Sequence, residues 1–173
     1  MFIQSVEIII LLLLSFISDY KTLKIKNHIT LSFTALGIIT GIMQKGLEGL
    51  ALSILGWCLP VLLLFVLYAL KMLGAGDVKM FGAIGSIAGY GFAMHSILYS
   101  FIFGGLAGIG LLIVRKNAGE RFRYFGTYMK SCFLVQKPME YSNSGSENKR
   151  SVFRFTYAAV PGVLAQLAFA VFG

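Results

Sequence analysis

Asp19 and Asp77 are the only two aspartates in the chain. Each stands at the edge of a strongly apolar segment, where an ionised carboxylate is costly and often marks function. The other acids, Glu7, Glu48, Glu120, Glu140 and Glu147, fall in termini or loops. Two carboxylates brought together cannot both ionise readily, so one holds a proton and the other acts as a base. The base takes a proton from a water, and that water attacks an amide carbonyl. The acid polarises the carbonyl oxygen and later helps to protonate the leaving nitrogen. Such chemistry needs neither metal nor cofactor. Simpler roles exist for each residue alone: Asp77 as a helix cap, Asp19 as an interfacial acid neutralised by Lys21. Asp77 lies in "GAGDVKM". Gly74 and Gly76 there allow backbone angles closed to other residues and leave room for an extended peptide.

The elements that must position this pair are apolar. Of 173 residues 57% are hydrophobic and 13% charged, with a mean hydropathy of +0.81, whereas soluble domains are about a quarter charged. A membrane span needs about 20 apolar residues. The expectation is an all-α, polytopic membrane bundle forming one domain over 1–173. Six spans can be drawn: 2–18, 29–43, 49–70, 78–93, 95–114 and 153–172. The weakest boundary is near Tyr90-Gly91, where one long kinked helix would reverse everything downstream. With six spans and the N-terminus outside, every Lys and Arg except Lys45 falls on one side, the cytoplasmic one. Both aspartates then lie at the cytoplasmic boundary and both chain ends outside. The net charge of +8 therefore speaks to membrane orientation rather than to nucleic acid. The apolar stretch Ile8 to Ile17 has no basic residue before it and no A-x-A site after it, so it is expected to be a retained helix rather than a signal peptide.

The last loop, about 115–152, carries Phe122, Phe125, Met129, Cys132 and Phe133 at spacings of three and four. This is the pattern of an amphipathic helix on the cytoplasmic leaflet, or of a cap packed on the bundle. "YSNSGSENKR" beyond it is polar and flexible by composition. Gly37…Gly41, Gly85…Gly89 and Gly104…Gly108 are small-residue pairs suited to close helix packing. Cys58 and Cys132 form no C-x-x-C pair. His28 and His95 fall at opposite faces of the drawn bundle, which argues against a shared metal site. Asn27 is placed to cap the second helix. Lys79 either helps Asp77 electrostatically or, more simply, snorkels to headgroups.

Two motifs carry a resemblance. "GAGD", Gly74 to Asp77, matches the G-x-G-D motif of intramembrane aspartic proteases, and "GAGDVKM" resembles its form in bacterial prepilin peptidases. "DYKTLKIKN", Asp19 to Asn27, resembles that family's first motif: an Asp, a short basic stretch, then Ile-Pro-Asn, with Lys26 standing where Pro is usual. The resemblance implies an aspartic endopeptidase of the bacterial plasma membrane with Asp19 and Asp77 as its catalytic pair. Gly74, Gly76, Lys79 and Asn27 would be supporting motif residues, and no metal is implied. Its substrate would be a prepilin or pseudopilin precursor, with a cationic leader ahead of an apolar helix, cut at the cytoplasmic face. Larger members carry a cytoplasmic insert with paired C-x-x-C linked to N-methylation. The short first loop here resembles the peptidase-only subgroup serving tight-adherence (Flp-type) pili. "VPG", Val160 to Gly162, echoes a family segment in the last span. Two other classes remain: a small proton- or cation-coupled transporter, and a noncatalytic pilus or secretion assembly subunit. A transporter expects its carboxylates nearer the midplane, and an assembly subunit gives no reason for two aspartates at matching ends.

Overall fold

The computed structural model describes residues 2–22, 24–70, 72–115 and 155–172. The regular elements among them are all helices: α1 (Phe2–Thr22), α2 (Asn27–Ala69), α3 (Ala75–Ala88), α4 (Tyr90–Arg115) and α5 (Thr156–Phe172). The chain divides into two compact units, Met1–Gly104 with Arg154–Gly173, and Gly105–Phe153. Of the second, only the end of α4 is described. The expected amphipathic stretch and Cys132 lie outside the described residues.

By length and composition three helices can cross a membrane: Ile3–Thr22, Asn27–Ala69 and Tyr90–Gly110. Their outer faces suit lipid, with Leu13, Leu62, Phe65, Leu98 and Ile102 all exposed. The 43-residue α2 is not one straight rod. Gly46 breaks it at φ 62, ψ −137. The Ser53 hydroxyl donates to the Gly37 carbonyl at 3.3 Å, whereas sixteen residues of straight helix would separate them by about 24 Å. A Cβ on Gly49 would strike the Gly41 carbonyl, and one on Gly41 would strike the Ser53 hydroxyl. The two arms therefore run antiparallel, as the separate spans 29–43 and 49–70 require.

The drawn boundary between 78–93 and 95–114 needs correction. α3 ends at Ala88, and the break falls on Gly89, which has φ 88 and ψ 165. That conformation is essentially confined to glycine. The alternative of one long kinked helix also fails. Phe81 of α3 and Phe101 of α4 both pack on Phe155, with centroids 6.3 and 5.5 Å from it. Twenty residues of continuous helix would hold them about 30 Å apart, so α4 doubles back beside α3.

α3 is the central rod. Val78 and Met80 through Ile87 are all buried, which only a helix surrounded by other helices achieves. The first arm of α2 runs parallel to it: Gly37 faces Ser86 and Ile87. The second arm runs antiparallel, with Gly56 against Gly85 and Trp57 and Val61 against Gly82. α1 is antiparallel too, since the Gln4 side-chain amide at its start donates to the Ile87 carbonyl at 3.0 Å. Of the expected glycine pairs, Gly37, Gly41, Gly85 and Gly104 lie at close contacts, while Gly89 makes a turn and Gly108 faces open space. Gly162 of "VPG" sits where a Cβ would come within 2.5 Å of Ser100 in α4, which gives that segment a packing reason.

Candidate active site

The first motif is a turn held by two hydroxyls. Ser18 donates to the Lys24 carbonyl at 3.0 Å and accepts from the Lys26 amide at 3.3 Å. Thr22 donates to the carbonyls of Ser18 and Lys24. The departure at Lys26 is conformationally neutral: its φ of −68 and ψ of 133 fall where proline is held by its ring. Lysine also keeps an N–H that proline lacks, and the Ser18 hydroxyl accepts it. Asp19, in the last turn of α1, is 9% exposed, while Lys21 is exposed. Asp19 is thus a buried carboxyl rather than an interfacial acid neutralised beside it.

The turn delivers Ile25 to the second motif. Ile25 is buried, and a Cβ on Gly76 would come within 2.9 Å of its Cβ. The space expected beside Gly76 for a peptide is therefore taken by Ile25, and Gly76 serves to join the two motifs. Gly74 also departs from expectation, because its φ of −76 and ψ of 145 are open to any residue. Its surroundings are open save for Asp77 Oδ2, 3.1 Å from where a Cβ would sit. Gly76→Ala is expected to lower the thermal stability of the purified protein by about 1–3 kcal/mol, because the atom it meets is a branched Cβ and not a flexible tip.

Asp77 occupies the first turn of α3, ahead of the apolar run from Val78. Burial, and then the nearby Asp19 carboxylate, push its carboxyl up to about 6. The Gly74 backbone N–H and the Thr156 hydroxyl donate toward it and pull the other way. Capping and acidity thus coexist: Gly74 is the N-cap, and Asp77 reaches back to its N–H from the third helical position. α1 and α3 run antiparallel, so the end of one and the start of the other bring the only two aspartates together.

The remaining motif residues lie close by. Lys79 Nζ donates to Asn27 Oδ1 at 2.9 Å, so the starts of α2 and α3 are tied to each other. Asn27 is not the cap expected of it: the N-cap of α2 is Lys26, with no side-chain cap. The acidity of Asp77 is set by burial, Asp19, Gly74 and Thr156, while Lys79 is engaged by Asn27. Thr156, 2% exposed at the start of α5, was not foreseen from sequence. Tyr157 beside it meets Phe16 of α1 edge-on at 5.5 Å, fixing the start of α5 near the same end. A cavity of about 350 Å³ lies elsewhere, lined by Gln4, Lys45, Ser53, Ser86 and Gly89. Of these, Gln4 and Ser86 lie at the ends of α1 and α3 opposite to the two aspartates. Among the described residues no group of three or more His, Cys, Asp or Glu could hold a metal.

Apolar helices packed round a central rod, with two acids at one end, define a helical membrane protein. Residues 6–109 match the type IV leader peptidase family, and the chain belongs to that family of peptidases. No curated protein and no solved structure matches it.

Proposed function

We propose that this chain is an aspartic endopeptidase that removes the basic leader of type IV, Flp-like prepilins at the cytoplasmic face of the bacterial plasma membrane. One observation carries the reading: Asp77 is half-buried beside the buried Asp19, and both its loss of solvent and that neighbour raise its affinity for a proton. Asp77 is the acid and Asp19 the base. Asp19 takes a proton from a water lying between them, and the resulting hydroxide adds to the scissile carbonyl carbon. Asp77 gives its proton to the carbonyl oxygen. The tetrahedral intermediate then collapses: Asp77 recovers that proton, the C–N bond breaks, and protonated Asp19 donates to the leaving nitrogen. Closure of a peptide over the pair strips further water and favours the protonated form of Asp77.

Six passes fit the alternating direction of the rods, with each arm of α2 counted separately. α3, 14 residues long, measures about 21 Å against a hydrocarbon core of about 30 Å. Its ends would then lie recessed below the headgroups. A substrate whose charged leader meets an apolar helix presents its junction at that depth. The nearby lysines would not repel the cut site, since Lys79 of α3 is turned to Asn27 and Lys21, Lys24 and Lys26, at the end of α1 and in the first loop, are exposed to screening solvent. The transporter reading gains nothing from carboxylates at helix ends. The test is to incubate the purified protein with a Flp-like precursor and follow loss of its leader by gel shift and mass spectrometry. Cleavage is expected, and is expected to persist in EDTA, since the two carboxyls supply both acid and base. Loss of activity that returns only with a particular metal would overturn the mechanism.

A further inference from the structure

The two motifs account for Asp19 and Asp77 but not for what fixes the direction of the Asp77 carboxyl. A carboxyl at the third position of a helix can rotate about its side-chain bonds, and one backbone N–H holds only one of its oxygens. Thr156 supplies a second, independent restraint. It lies 79 residues further along, on the opposite side of the segment 116–154. It is almost wholly buried, and its hydroxyl is turned to Asp77. Its chain neighbours pack near both aspartates, against residues within one turn or so of each. Phe155 before it is wedged between Phe81 and Phe101, Tyr157 after it meets Phe16, and Gly162 one and a half turns on is pressed against Ser100.

We infer that Thr156 is a positioning residue of the peptidase site proposed above, its hydroxyl holding the Asp77 carboxyl toward Asp19 from the first turn of α5. The site is then built from three helices, and the C-terminal one is needed to complete it. Among the described residues, the charged and titratable groups around Asp77 leave few competing causes. α1 presents Asp19, α5 presents Tyr157 turned to Phe16, and Lys79 of α3 is engaged by Asn27 of α2. Because the hydroxyl donates, it favours the carboxylate. Its removal makes Asp77 hold its proton to higher pH.

The experiment uses the full chain in detergent micelles. Dicyclohexylcarbodiimide modifies protonated carboxyls, so its attachment to Asp77, quantified by mass spectrometry between pH 4 and 9, reports the proton directly and needs no substrate. The wild-type midpoint is expected near 6. Thr156→Val, nearly the same shape without the donor, is expected to raise it by about half a pH unit or more. Thr156→Ser is expected to restore it. On a Flp-like precursor, Thr156→Val is expected to lower kcat about tenfold with KM nearly unchanged, and Thr156→Ser to recover most of that loss. If Thr156→Val does not accumulate in the membrane, Thr156→Ala is compared with Thr156→Ser in the same way. An unchanged midpoint in the variant lacking the hydroxyl overturns the inference, whether or not cleavage slows, since a merely structural role would leave the Asp77 proton alone. Failure of the peptidase reading is seen separately, as full cleavage by Asp19→Asn or Asp77→Asn.

Discussion

Asp19→Asn and Asp77→Asn are each expected to lower leader cleavage by about 10³-fold or more, while the protein remains in the membrane. Asparagine keeps the shape and part of the hydrogen bonding but can neither accept a proton from water nor give one to a carbonyl oxygen. A single positioned acid or base contributes about 10²–10⁴-fold, and the two act in one step, so losing either removes most of the gain. Co-expression of wild type and each variant with a Flp-like precursor, read by gel shift, checks this. Full processing by either variant would dismiss the pair. Asp77→Asn carries a second consequence that a plain loss of function would not. With its carboxyl raised from 3.8 to about 6, the folded chain retains a proton that the unfolded chain releases. Stability therefore falls as pH rises from about 4 to about 6, and the cost of ionising Asp77 in place is complete above that window. Its size is up to ~3 kcal/mol. Asp77→Asn is thus expected to melt higher than wild type at pH 7.5 and to lose that advantage near pH 4. Equal melting at both values would mean that Asp77 is not an ionisable group held at a cost.

The motifs were legible because they are local. Asp19 with its basic turn, and Asp77 with its two glycines, are each written within nine residues, and hydropathy alone marked the apolar segments around them. The hairpin in α2 was legible for the same reason, as Lys45, Gly46 and Glu48 interrupt two apolar runs. Other features depend on the folded chain. Tyr90-Gly91 and Gly89 offer glycine on either side of one aromatic residue, and sequence does not say which carries the positive φ. Ile25 and Gly76, or Thr156 and Asp77, meet only after several passes, with no period or spacing to link them. Asn27 had a plausible local role as a helix cap, and a contact with Lys79 of a neighbouring helix took its place. Thr156 is the plainest case: a single hydroxyl before an apolar run means nothing until α5 is set beside α3.

Gly85 tests whether the central rod is held as tightly as these contacts require. A Cβ on Gly85 would meet the Gly56 carbonyl, and a Cβ on Gly56 would meet the Gly85 carbonyl. Both obstacles are backbone, so no side chain can turn aside. Gly85→Ala must push α3 away from the second arm of α2 along the face where Pro60 also packs, 3.2 Å from the added atom. The expected loss is about 1–3 kcal/mol, the scale of an overpacked core, and Gly85→Leu is expected to prevent stable assembly. Gly91→Ala is the matched control. Gly91 lies in the first turn of α4 with nothing within 4 Å of an added Cβ. There alanine gains helix propensity and restricts the unfolded chain, raising stability by up to about 1 kcal/mol. Melting curves of the two alanine variants in the same detergent should move in opposite directions. The Gly85→Ala displacement should also reach the chemistry, because α3 carries Asp77 at its other end and a shifted rod shifts that carboxyl against Asp19. Cleavage is therefore expected to fall in Gly85→Ala well below the melting temperature and to stay at the wild-type level in Gly91→Ala. Identical melting of the two variants would mean that α3 and the second arm do not approach at Gly56 and Gly85, and the rod that aims Asp77 would have to be held by other contacts.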